Sequence, residues 1–126
     1  MFEKMGLTKM AQALASHSAA RIGAISHNIA NADTPKFKAH DIKAFSDTYD
    51  ATPSLEMRSS RAGHFTQGFL PAGHLIAAPD SEAPNGNDVS LDIQMLKASE
   101  TKQSHGMALA IYKSASTLVQ TSLGRK

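Results

Sequence analysis

Apolar or small residues near the N-terminus recur at helical spacing: Leu7, Ala11, Leu14, Ser18, Ile22, Ile25 and Ile29 stand 4, 3, 4, 4, 3 and 4 positions apart. They form one stripe along a helix. Its eleven-residue repeat, 3.67 residues per turn, predicts a nearly straight or weakly right-handed superhelix. A helix of about twenty-five residues is roughly 37 Å long. That is too long to bury its stripe against a small domain, so it needs a second helix as partner.

A second stripe follows the loop signal PNGND. Asp88 or Ser90 is expected to cap the helix N-terminus, and Asp92 suits its first turn. Met95, Ala98, Lys102, His105, Leu109, Tyr112, Ser116, Val119 and Leu123 then alternate 3 and 4 apart, in heptad style. A neighbouring row of Ala108, Ile111, Ala115 and Leu118 widens the apolar face, which predicts two partner surfaces on the second half of this helix. Gly124, Arg125 and Lys126 supply a C-terminal stop with favourable charge.

Between the stripes, Ile42, Phe45 and Tyr49 have the spacing of a short amphipathic helical turn. Four of the five prolines fall in residues 50–87, which read as a flexible loop with short extended pieces at Ser54 to Met57 and Leu75 to Ala77. The expected organisation is one mainly α structural domain in three parts: a helix in 1–32, a turn, short helix and loop in 33–87, and a helix in 88–126. Each of the two long helices needs a partner helix.

Composition narrows the function classes. At 126 residues and 41% hydrophobic content, with 6% aromatics and no tryptophan, the chain can build one modest core. Thirteen Lys and Arg against eleven Asp and Glu give a net charge of +2 without a basic block, so nucleic acid is not an expected partner. Without cysteine there is no disulfide or thiolate metal site, which suits a chain that crosses compartments unfolded. Neither a cleaved signal peptide nor a transmembrane span is expected, because no apolar run is long enough. The six histidines show no HExxH or close ligand pair, and no serine sits in a GxSxG elbow. No catalytic residue, metal or cofactor is expected.

The stretch HNIANADTPKFKAHDI ends the first stripe abruptly. Asn31 closes the helix as a residue that tolerates left-handed backbone, Asp33 accepts backbone hydrogen bonds in an Asx turn, and Pro35 forces the chain out of helical geometry at Thr34. Arg21, beside the stripe, either reaches an acidic residue of a neighbour or lies solvated on the surface. This account leaves open why Asn recurs at 28 and 31.

Asn28, Ile29, Ala30, Asn31, Asp33, Thr34, Pro35, Phe37 and Lys38 match a motif of the flagellar basal-body rod, hook and filament-junction proteins, and the chain resembles that family. The Ala-Asp-Thr-Pro form, followed by Lys38, Ala39 and Asp41, is most similar to the proximal rod member, as is NGNDVSLDIQMLKAS at 85–99. Lys36 stands where the family usually has Gly, so a left-handed backbone there would be strained. Phe37 replaces the usual Tyr.

The resemblance implies a structural subunit of the torque-transmitting rod, not an enzyme, whose long N- and C-terminal helices pair as a coiled coil and stack with those of neighbouring copies. Leu7, Ala11, Leu14, Ile22, Ile25, Ile29, Leu109, Tyr112, Leu118 and Val119 would form its assembly interface. Implied partners are copies of the chain, other rod proteins, membrane-ring and rod-adaptor components, and the flagellar type III export apparatus. The implied location is the periplasmic rod of the basal body, reached without a cleaved signal peptide. The alternatives are a sibling rod protein, or a small helical secretion chaperone or adaptor.

Overall fold

The computed structural model describes residues 2–50 and 74–124. Its elements are α1 (Phe2–Ala30), β1 (His40–Ile42), α2 (Phe45–Asp50), β2 (Leu75–Ala77) and α3 (Leu91–Ser122). Two long helices packed together dominate, as the two stripes predict. At 29 and 32 residues they run about 43 and 48 Å at 1.5 Å per residue. Among the described residues no helix is long and apolar enough to cross a membrane.

The helices are antiparallel. Asn28 near the end of α1 bonds Gln94 at the start of α3, and halfway back along α1 the carbonyl of Ala15 lies 3.2 Å from His105 Nδ1. Along this seam a row of buried positions repeats every seven residues on both helices, Ala11, Ser18 and Ile25 on α1, with Asn28 buried three positions beyond, and Gln94, Thr101, Ala108 and Ala115 on α3. That is coiled-coil periodicity. On α1 it replaces the expected eleven-residue repeat, because Leu7 is exposed and Ile22 and Ile29 lie only half-buried beside the seam.

On α3 the correction is larger. The buried row is Gln94, Thr101, Ala108 and Ala115, so Ala108 and Ala115 of the expected neighbouring row form the seam while Met95 and Leu109 of the main stripe face outward. Size explains the shift. A pattern search favours large residues, whereas Ala108, Ala115 and Thr101 have the small side chains that let two helices approach closely. Gly124 ends α3 in left-handed backbone (φ 70°), with its N–H on the Thr121 carbonyl, as its place in the sequence predicts. Arg125 and Lys126 lie outside the described residues.

The middle segment folds back onto one end of the pair. β1 and β2 pair antiparallel in the register His40 with Ala77, Asp41 with Ile76 and Ile42 with Leu75. The expected extended piece at 75–77 is therefore a strand, while that at 54–57 lies outside the described residues. Residues 78–90 form a loop without helix or strand. The N–H groups of Asp80 and Ser81 meet the Asp88 carbonyl and that of Ala83 meets the Asn87 carbonyl, closing a compact loop.

Candidate functional site, an asparagine clamp beside an apolar helix face

Asn28 is almost fully buried and joins three elements. Its Nδ2 donates to the His40 carbonyl at 2.7 Å and its Oδ1 accepts the His40 N–H at 3.1 Å, so the side chain pairs with β1 as a neighbouring strand would. Nδ2 also donates to Gln94 Oε1 at 3.1 Å on α3. The chain of bonds continues: Gln94 Nε2 donates to Asp80 Oδ2 at 2.6 Å, and Lys97 Nζ meets Asp80 Oδ1 at 2.7 Å. Only a carboxamide offers donors and an acceptor in this arrangement.

Asn31 has a different task. Its Nδ2 donates to the His27 carbonyl at 2.8 Å, satisfying one of the carbonyls that a helix end leaves open, and its Oδ1 accepts the Thr34 hydroxyl at 3.3 Å. The two asparagines thus recur three apart because one faces the interior and the other caps the helix. Asn31 does so without left-handed backbone, which among the described non-glycine residues belongs to Lys36 (φ 61°). None of the hydrogen bonds among the described residues ends on the Asp33 carboxylate; Asn31 supplies the side-chain acceptor of this turn.

The turn is received by the loop before α3. Asn87 Nδ2 lies 3.0, 2.7 and 2.9 Å from the carbonyls of Asn31, Ala32 and Thr34, while its Oδ1 accepts the Val89 N–H. Asp88, expected as a cap, instead accepts the Ala39 N–H and pairs with Lys38 at 3.5 Å. Ser90 takes the cap position without a side-chain cap bond. Phe37 is half-buried against His27, ring centroids 5.6 Å apart. Ala30, Asp33, Thr34 and Pro35 are exposed.

Two ion pairs reinforce the clamp. Arg21 grips Asp41 through two 2.8 Å bonds, so it serves its own chain rather than a neighbour or solvent. Burial pushes the Asp41 carboxyl up, but the Arg21 guanidinium and the Ile42 N–H hold it below the usual carboxylate range; Asp41 in turn raises Arg21. Asp80 is likewise pushed up by burial and brought below the ordinary value by Lys97, Gln94 and the Ser90 N–H. These partners were not visible in the sequence. Asn87 and Gln94 fall within the run NGNDVSLDIQMLKAS, but nothing in that run or around Asp80 shows which residues they meet.

The residues expected at an assembly interface divide between two surfaces. Ala11 and Ile25 lie in the intrachain seam, with Leu14, Ile22, Ile29 and Val119 half-buried along it. Leu7, Leu109, Tyr112 and Leu118 are 41, 50, 47 and 57% exposed. Met95, Leu96, Met107 and Leu123 are exposed as well. Scattered apolar residues on a surface mean little, but a helix that hides alanines and displays leucines is the reverse of an ordinary surface helix.

No protein-family model matches the chain. Over 116 residues it is 30% identical to the flagellar basal body rod protein FlgB of Agrobacterium fabrum, covering 86% of this chain and 85% of that protein. FlgB of Cereibacter sphaeroides is 31% identical over 90 residues, covering 69% and 70%. Identity of this extent means that the chain belongs to the flagellar basal body rod protein FlgB family.

Proposed function

We propose that this chain is a structural, non-enzymatic subunit of the proximal rod, the part of the drive shaft next to the membrane ring. The observation that carries the reading is the inverted α3 helix, whose large apolar side chains point away from α1. Each such residue contributes about 1.5–3 kcal/mol when fully buried. Copies of the chain and other rod proteins are the proposed occupants of that face. In this reading the assembly interface is made of Leu7, Leu109, Tyr112 and Leu118, with the half-buried Leu14, Ile22, Ile29 and Val119 at its margin, and the coil of α1 and α3 transmits torque.

Delivery is proposed to pass through the flagellar type III export apparatus without cleavage of a signal peptide, with assembly in the periplasm. The middle segment, 50–87, contacts ring or rod-adaptor components. A chain with small residues in its seam and its largest apolar groups outside gains much of its stability from neighbours, so folding is completed by assembly. The test is a Leu109→Asp/Leu118→Asp double variant expressed in a strain lacking the native subunit. It should be secreted and keep its helix content, while rods fail to form; normal rods and motility would refute the role of this face.

A further inference from the structure

The clamp contains the chain's single Asn-Gly pair, Asn85–Gly86. Asparagine before glycine is chemically labile because the glycine nitrogen, with no side chain beside it, can reach the asparagine side-chain carbonyl. In that reaction the Gly86 nitrogen loses its proton to solvent base and bonds Asn85 Cγ. The Cγ–Nδ2 bond breaks, ammonia leaves and a succinimide forms. One water then opens the ring at either carbonyl, giving aspartate or isoaspartate.

In the folded chain both reactants are occupied. The Gly86 N–H donates to the Ala83 carbonyl at 2.9 Å, and Asn85 Oδ1 accepts the Asn87 N–H at 3.0 Å in an Asx turn. The Asn85 carbonyl is held by the Lys36 N–H at 3.2 Å, and Gly86 sits in left-handed backbone (φ 79°) against Lys36. Succinimide closure requires the side chain to leave the Asx turn and the peptide to rotate, which breaks these contacts together.

We propose that Asn85 is a deamidation site silenced by docking of the 31–37 turn onto the 83–88 loop, so that conversion marks chains in which the clamp is open. In isoaspartate the main chain runs through Cβ and Cγ, one methylene longer, and the carbonyl that accepts the Lys36 N–H becomes a free carboxylate outside the main chain. The isoaspartyl chain therefore cannot restore the clamp, whereas the aspartyl product keeps the original main chain.

The test incubates the full chain at mildly alkaline pH, folded and in urea, and follows Asn85 by peptide mass spectrometry and isoaspartyl methyltransferase labelling. Conversion should be at least about tenfold faster in urea, the factor that about 1.4 kcal/mol of local opening free energy supplies. Similar rates, faster conversion in the folded chain, or no conversion in urea would each overturn the proposal. Asn87→Ala, which removes the contacts to Asn31, Ala32 and Thr34, should accelerate conversion under folding conditions; an unchanged rate would also overturn it. If circular dichroism shows that variant unfolded, its rate without urea must equal the rate in urea, and a slower rate is equally fatal.

Discussion

The two ends of the helix pair are held by different forces. At the end that holds Asn28 and Gln94, directional hydrogen bonds and ion pairs tie α1, α3 and the middle segment together, and no buried side-chain polar atom among the described residues lacks a partner. At the other end the seam is Ala11, Ala108 and Ala115, and the large apolar groups Leu7, Leu109 and Leu118 are outside it. The polar end fixes register, because each donor finds its acceptor in one arrangement only. Small residues permit contact but specify little, so the far end depends on what packs against it.

The largest expected effect comes from removing the centre of the clamp. Asn28→Ala leaves the part-buried His40 N–H and carbonyl and the buried Gln94 Oε1 short of partners, and a buried group left so costs about 1–3 kcal/mol. Urea unfolding should show a loss of about 3 kcal/mol or more. Leu109→Ala, at the opposite end, should change the free chain by less than about 0.5 kcal/mol. Equal effects would erase the contrast between the two ends.

Acid should attack the same end. Asp41 and Asp80 both have carboxyls below the ordinary range in the folded chain, so their contribution is present above the unfolded carboxylate value of about 3.9 and is lost as pH falls through the lower folded values. A circular dichroism titration should therefore show stability flat from neutral pH down to about 4 and falling below it. Asp80→Asn should blunt that fall and cost stability at pH 7. An acid profile unchanged in both Asp80→Asn and Asp41→Asn would remove these pairs from the account.

Hydrogen exchange sharpens the comparison within single helices. The α1 amides around Ile25 and the α3 amides around Gln94 should be the best protected in the free chain, with protection fading toward Leu7 and Leu118. Uniform protection along both helices would mean that the alanine seam is as strong as the clamp, and that the free chain does not wait for neighbours.

The sequence made these ends unequally legible. Two long helices follow from periodicity, and the strand at 75–77 from its flanking glycine and prolines. The asparagine motif marks where α1 stops, and Asn31 acts locally there, but the role of Asn28 depends on Gln94, 66 positions away, and the turn is received by Asn87, 56 positions beyond Asn31, which no local pattern connects. On α3 the seam falls on the neighbouring row of Ala108 and Ala115 rather than on the stripe of Met95 and Leu109, because hydrophobic spacing gives weight to Leu and Met. Close approach in this pair instead selects Ala and Thr, and leaves the larger residues on the outer face.

The smallest expected effect lies at the rim of the clamp, where Lys36 and Gly86 meet in left-handed backbone. Lys36 stands at φ 61°, a region that costs a residue with a side chain about 1–2 kcal/mol. Its N–H still reaches the Asn85 carbonyl, and glycine would keep that bond. Lys36→Gly removes the strain but gives the unfolded chain about 0.5–1 kcal/mol more conformational freedom, so a net gain below about 1 kcal/mol is expected in thermal or urea unfolding. Gly86→Ala is the opposite case. The added Cβ finds ordinary contact 3.5 Å from the Lys36 side chain, yet φ 79° strains it, and a loss of about 1–2 kcal/mol is expected. Should Lys36→Gly instead destabilise the chain, the lysine stem packed over Gly86 would outweigh the backbone strain, and the rim would belong with the clamp's contacts rather than its costs.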